Sequence, residues 1–257
     1  GGASTMDAVS LASAIVSVAS AVVTVALGAL FEWRRRHSDR EQARRDRVSR
    51  YRDPLLQAAA ALQGRLETAV AHLDRKQVTQ VAPDTPRQEE YNRYESLYRF
   101  AVYQGWVHIL FREAGFLDLG SRRRNRRLVQ LLARVSGTIA GHDDYGKTGV
   151  LQGGEQRLIG ELMLAPVDSD RSRLGCLGYL EFLTKLKTDP EYERRFAPVL
   201  EFIDGLAQGD ANARRRLTVI HNALVDLINF LDPHGVWVVY PRDRLPLPKE
   251  TTPERVA

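Results

Sequence analysis

Residues 8–31 carry no charged side chain, lie between Asp7 and Glu32, and are followed at once by Arg34, Arg35 and Arg36. A helix of that length extends about 36 Å, enough to cross a ~30 Å hydrocarbon core with some tilt. A signal peptide carries its cations before the apolar run, whereas here Asp7 precedes it and the arginines follow, so the segment is expected to stay attached. The arginines place the C-terminal side in the cytoplasm. The expectation is a single-pass inner-membrane protein with its N-terminus outside and its larger part inside.

The crossing has a patterned face. Its hydroxyls, Ser10, Ser13, Ser17, Ser20 and Thr24, recur at alternating spacings of three and four. On a helical wheel they occupy an arc of about 80°, and Gly28 continues it. Helices in lipid associate through small residues and hydroxyls, so this stripe reads as a self-association face of a homo-oligomer. Two other readings stay open. Each hydroxyl could bond back to its own helix, or the stripe could line a narrow polar pore.

The formal net charge is +5, and residues 32–50 alone place eight Arg against Glu32, Asp39, Glu41 and Asp46. The basic balance is therefore mainly juxtamembrane, suited to anionic lipid headgroups through Arg34, Arg35 and Arg36 rather than to a broad nucleic-acid surface. A single cysteine, Cys176, excludes an internal disulfide.

Residues 32–50 lack an apolar stripe but offer i,i+4 pairs such as Glu32 with Arg36, which predicts a solvated helical neck. Asp53 and Pro54 read as the opening of a helix with Leu55, Ala59, Leu62 and Leu73 inward. A helix from about residue 88 to 117 reads as a central buried one. Ser121 should cap the next, whose first turns hold Arg122, Arg123, Arg124, Arg126 and Arg127. Further helices are expected near residues 155–164, after a loop at 166–174, from Asp189 and Pro190, and from about Ala211 to Leu231. Residues 236–240 read as a short strand, followed by a Pro-rich extended tail. With no second strand in view, the fold class is all-α: a transmembrane helix (1–31), a basic neck (32–50), a cytoplasmic helical bundle (51–235) and a tail (236–257).

Several motifs bear on chemistry. Gly141, four residues, then Gly146, Lys147 and Thr148 match the phosphate-binding GxxxxGK pattern. Such a loop needs a strand before it and a helix directly after, and neither is expected here. His142 with Asp143, joined by His108 and Asp226, resembles the metal pair of helical phosphohydrolases, although those enzymes carry the pair on a helix. HExxH and GxSxG motifs are absent. His221 reads as a core-edge histidine. No catalytic residue, cofactor or metal is assigned. The arginine clusters at 122–127 and at Arg214, Arg215 and Arg216, each near a helix start, read either as a solvated basic face or as the sites for an anionic partner, a nucleotide, short oligonucleotide or acidic protein. Glu155, Arg157 and Glu161 mark either a ligand pocket or a buried polar network that fixes packing.

The stretches Asp53-Pro54-Leu55-Leu56, Leu62-Gln63 with Arg65-Leu66, residues 155–161, and Phe230-Leu231-Asp232-Pro233 resemble a family of uncharacterised single-pass, membrane-anchored helical proteins from actinobacteria. The resemblance covers roughly residues 50–235 and implies no activity. Two classes of function fit the chain. In one, the cytoplasmic domain senses a ligand or partner and controls assembled crossing helices, as in pore-forming effectors of stress or phage-defence responses. In the other, the crossing only anchors a scaffold for another protein. A nucleotide-binding or metal-dependent phosphohydrolase is a remote third.

Overall fold

The computed structural model describes residues 3–78, 85–113, 119, 121–141, 150–167, 173–207, 211–239 and 242–248, without the side chains of residues 3–30, 40, 44–45, 47, 76–78 and 211. Two compact units divide it, Gly1–Ser49 and Arg50–Ala257. Helix α1 (Ala3–Val78) includes all of residues 8–31 along its backbone. The side chains of Ser10, Ser13, Ser17, Ser20 and Thr24 lie outside the described residues, as do most side chains of the predicted crossing. Among the described residues no helix is long and apolar enough to cross a membrane. The neck is helical and solvated: Arg34, Arg35 and Arg36 are exposed, and Arg36 donates to Glu32 at 2.9 Å. Phe31 and Trp33 are exposed beside them, with the Trp33 ring stacked on His37 at 5.7 Å between centroids.

Pro54 does not open a helix. It lies inside α1, and Asp53 pairs with the Arg52 guanidinium at 2.8 Å rather than acting as a cap. Proline lacks an N–H, so the Arg50 carbonyl loses its i+4 donor, yet the helix continues on both sides.

In the second unit the remaining helices are α2 (Pro86–Glu113), α3 (Arg122–Ile139), α4 (Gly153–Leu162), α5 (Tyr179–Thr188), α6 (Pro190–Ala207) and α7 (Ala211–Leu231). Helix α2 packs against α4, α5 and α6, and α3 against α7. Helical periodicity accounts for the core: Leu217, Ile220, Leu224, Leu227, Ile228 and Leu231 of α7 and Leu128, Leu131, Leu132, Val135 and Ile139 of α3 are all buried. Ser121 caps α3, its hydroxyl accepting from Arg124 N at 3.2 Å.

The expected loop at 166–174 falls between two short strands that the sequence reading lacks, β1 (Leu164–Pro166) and β2 (Leu174–Cys176), which pair as an antiparallel hairpin with Ala165 opposite Gly175. Conversely, the expected strand at 236–240 is not one over its described residues, 236–239. The N–H groups of Val236, Trp237 and Val238 all donate to the Asp232 carboxylate, at 3.0, 3.0 and 3.1 Å. Backbone donors that converge on one side chain cannot form a ladder.

Candidate functional site

A cavity of about 680 Å³ opens between α2, α3 and the start of α4. Helix α2 contributes Tyr103, Gln104, Val107, His108, Phe111 and Arg112, a continuous i, i+1, i+4, i+5 stripe along one face. Helix α3 contributes Val129, Leu132, Ala133 and Ser136, and α4 contributes Gly153, Gly154, Gln156 and Arg157. Eight residues separate Gln104 from Arg112, so the trough is about 12 Å long.

At the centre of its floor Gln156 is internally satisfied. Gln156 is 3% exposed; its amide N–H donors go to the carbonyls of Ser136 (3.1 Å) and Leu151 (2.9 Å). Its oxygen accepts from Ser136 Oγ at 2.9 Å and from Gln104 Nε2 at 3.4 Å. Such a network fixes how α2, α3 and α4 meet, because each lost partner would leave a buried polar atom orphaned. Gly160 sets the closeness of the α2 and α4 backbones: a Cβ there would stand 2.8 Å from the Gln104 carbonyl oxygen and 2.8 Å from His108 Cβ.

The polar patch at 155–161 divides accordingly. Glu155 accepts from Gln152 N at 2.7 Å and so holds the first turn of α4. Arg157 lines the cavity. Glu161 is exposed and forms no ion pair with Arg157.

The rim is cationic. Arg112 and Arg157 line the cavity and are exposed. On the wheel of α3, Arg122 and Arg126 fall within about 60° of Val129, on the cavity face, whereas Arg123, Arg124 and Arg127 lie at least about 120° away. All five arginines of that cluster are exposed. No carboxylate is among the described residues that line the cavity.

The structure separates the second arginine group from the first. Arg214 is held by Asp74 through two hydrogen bonds, at 2.6 and 2.9 Å, which together raise its pKa against the opposing effect of burial. Arg216 is 2% exposed, and its Nη1 reaches the Thr138 carbonyl at 3.5 Å. Thr138 lies at the far end of α3 from Arg124, about 20 Å along the axis. Arg214, Arg215 and Arg216 therefore form no common exposed face with residues 122–127.

A buried polar chain lies elsewhere. His221 Nε2 is 2.8 Å from Gln63 Nε2, and its Nδ1 is 3.2 Å from Asn222 Oδ1. Gln63 Nε2 can only donate and Asn222 Oδ1 can only accept, so the imidazole carries its proton on Nδ1 and is neutral. Asn222 in turn holds the backbone of Leu245, donating at 2.9 Å and accepting at 2.8 Å. Burial lowers the His221 pKa below its ordinary 6.5, outweighing the hydrogen bond to Asn222 and the field of Glu67. The unfolded chain thus binds more protons than the folded one below pH 6.5, so this stability is present above that pH and is lost as pH falls. Unfolding midpoints measured between pH 7.5 and 5 should fall more for the protein than for His221→Gln. Equal slopes would show that His221 does not contribute.

Gly141 ends α3 with φ of 71°, and a Cβ there would lie 2.9 Å from Arg216 Nη2. The rest of the GxxxxGK match, including Gly146, Lys147 and Thr148, lies outside the described residues, as do His142 and Asp143. The motif is entered from helix α3, not from a strand. Asp226 is paired with Arg134 at 2.9 Å and with Arg244 at 3.4 Å, while His108 faces the cavity. No metal-holding cluster of His, Cys and carboxylates occurs among the described residues. The Cys176 thiol is pushed up to about 12 by burial and sits against Gly105, where a Cβ would come within 2.6 Å of its sulfur. It is a packing group. No protein-family model, curated protein or solved structure matches the chain.

Proposed function

We propose that the chain is a non-enzymatic, oligomeric inner-membrane protein whose helical unit takes a ligand or partner in the α2–α3–α4 cavity and so controls the assembled crossing helices. The cavity is the observation that carries this reading. Its volume lies in the range of ligand sites, its walls are mainly apolar, and its rim is cationic. It offers binding chemistry more than reaction chemistry, since Ser136 donates to an amide rather than to a base. The uncharged run at 8–31 supplies the anchor. Trp33 and Arg34, Arg35 and Arg36, exposed just beyond it, are residue types that settle at a membrane surface.

In this reading the hydroxyl stripe assembles the crossing helices into a membrane-perturbing or conducting effector, the design of cell-suicide responses to stress or phage. Replacing Ser13, Ser17 and Ser20 by Leu tests it, because leucine keeps the segment apolar but removes the small, hydroxylated face. The triple variant should remain in the membrane fraction while losing oligomerisation and any membrane permeabilisation. A variant as active as the parent would reduce the crossing to an anchor and favour a scaffold.

A further inference from the structure

From the same cavity, and resting on its reading as a ligand site, we infer that the ligand is an amphipathic anion: one apolar chain ending in a phosphate or carboxylate head. The floor carries the first half of the argument. Both Gln156 donors and its acceptor are already engaged within the protein, so an apolar body can cover Gln156 without orphaning it.

The rim carries the second half. Arg112 and Arg157 line the cavity, and Arg122 and Arg126 share the angular face of α3 that borders it; all four are exposed and none is in an ion pair among the described residues. Guanidinium groups offer planar two-point contacts to phosphate or carboxylate. The apolar wall between floor and rim comes from Val107 and Phe111 of α2 and Val129 and Ala133 of α3, along a trough about 12 Å long.

The probe is decyl phosphate, titrated calorimetrically into the full chain in neutral phosphatidylcholine nanodiscs, with empty nanodiscs subtracted. Saturable binding is expected, with decanol and inorganic phosphate each at least about tenfold weaker, since each keeps one half of the recognition. Reversing Arg112 and Arg126 to Glu should weaken decyl phosphate by about tenfold or more. Reversing Arg123 and Arg124, off the cavity face, should leave it within about twofold. Ala133→Phe, at an exposed cavity position, should block binding without unfolding the protein. Absence of saturable binding, or binding indifferent to Ala133→Phe and to Arg112 and Arg126, overturns the inference. An acidic amphipathic peptide or a nucleotide that binds instead, and is blocked by Ala133→Phe, overturns the ligand class but leaves the cavity as the site. Unchanged biological activity in Ala133→Phe removes the cavity reading itself.

Discussion

Asp232→Ala should lower the unfolding free energy by about 3–5 kcal/mol, the cost of removing one partner from a buried charged pair. The carboxylate is 4% exposed. It accepts from three consecutive backbone N–H groups and from Arg242 Nη2 at 2.6 Å, while Arg242 Nη1 also donates to the Asp232 carbonyl at 2.6 Å. Burial alone would raise this carboxyl, but the N–H groups of Trp237, Val236 and Val238 and the Arg242 guanidinium together hold it far below the carboxylate range. Alanine would strand the three backbone N–H groups and break the Arg242 ion pair, leaving that guanidinium on the Asp232 and Val238 carbonyls. Asn keeps one acceptor and should lose less. Chemical denaturation of both variants checks the ordering, and a loss below about 1 kcal/mol for Asp232→Ala would contradict it. The same carboxylate fixes the course of the chain after α7, which leaves Val236, Trp237 and Val239 exposed. Its loss should therefore also loosen residues 233–239 and 242–245, visible as faster amide exchange there.

The helices were legible because the signals for them are local. The apolar spacing of α7, the Ser121 cap and the Asp189–Pro190 start each act within a turn or two, and each recurs in the structure. What escaped depends on distant partners. Hairpin β1–β2 has only three residues per strand and one of them is Pro166, too short for alternation to show. Residues 236–239 have strand composition, but Asp232 takes their donors. Pro54 carried a start signal, yet the surrounding sequence sustains one helix through it.

The candidate site was half visible for the same reason. The patch at Glu155, Arg157 and Glu161 led to α4, which borders the cavity, but mixed a cap, a cation at the cavity and a bystander. Arg112, Val107 and Ala133 were missed, because a cavity exists where faces stay uncovered, and coverage is settled by which helices pair. One signal was available: residues 103–112 of α2 carry a second, half-apolar stripe beyond the one needed for the core.

Gly160→Val should be the most damaging small substitution in α4. The first added carbon already meets the backbone oxygen of Gln104 at 2.8 Å and His108 Cβ at 2.8 Å, and a main-chain atom inside α2 cannot step aside. Overpacking of this kind costs about 1–3 kcal/mol, or more where backbones must separate. The damage should also reach the cavity, since moving α4 away from α2 stretches the 3.4 Å bond between Gln104 and Gln156 and tilts the floor. Gly153 and Gly154 provide the contrast, being helical with nothing within 4 Å of a Cβ. Alanine at either should be neutral or stabilising by about 0.5–1 kcal/mol, because it restricts the unfolded chain more than it disturbs the folded one. Thermal unfolding of the three variants compares close approach with helix propensity on a single helix. If Gly160→Val melts no lower than Gly154→Ala, the α2–α4 crossing is not held by the missing side chain, and the floor of the cavity must be free to adjust.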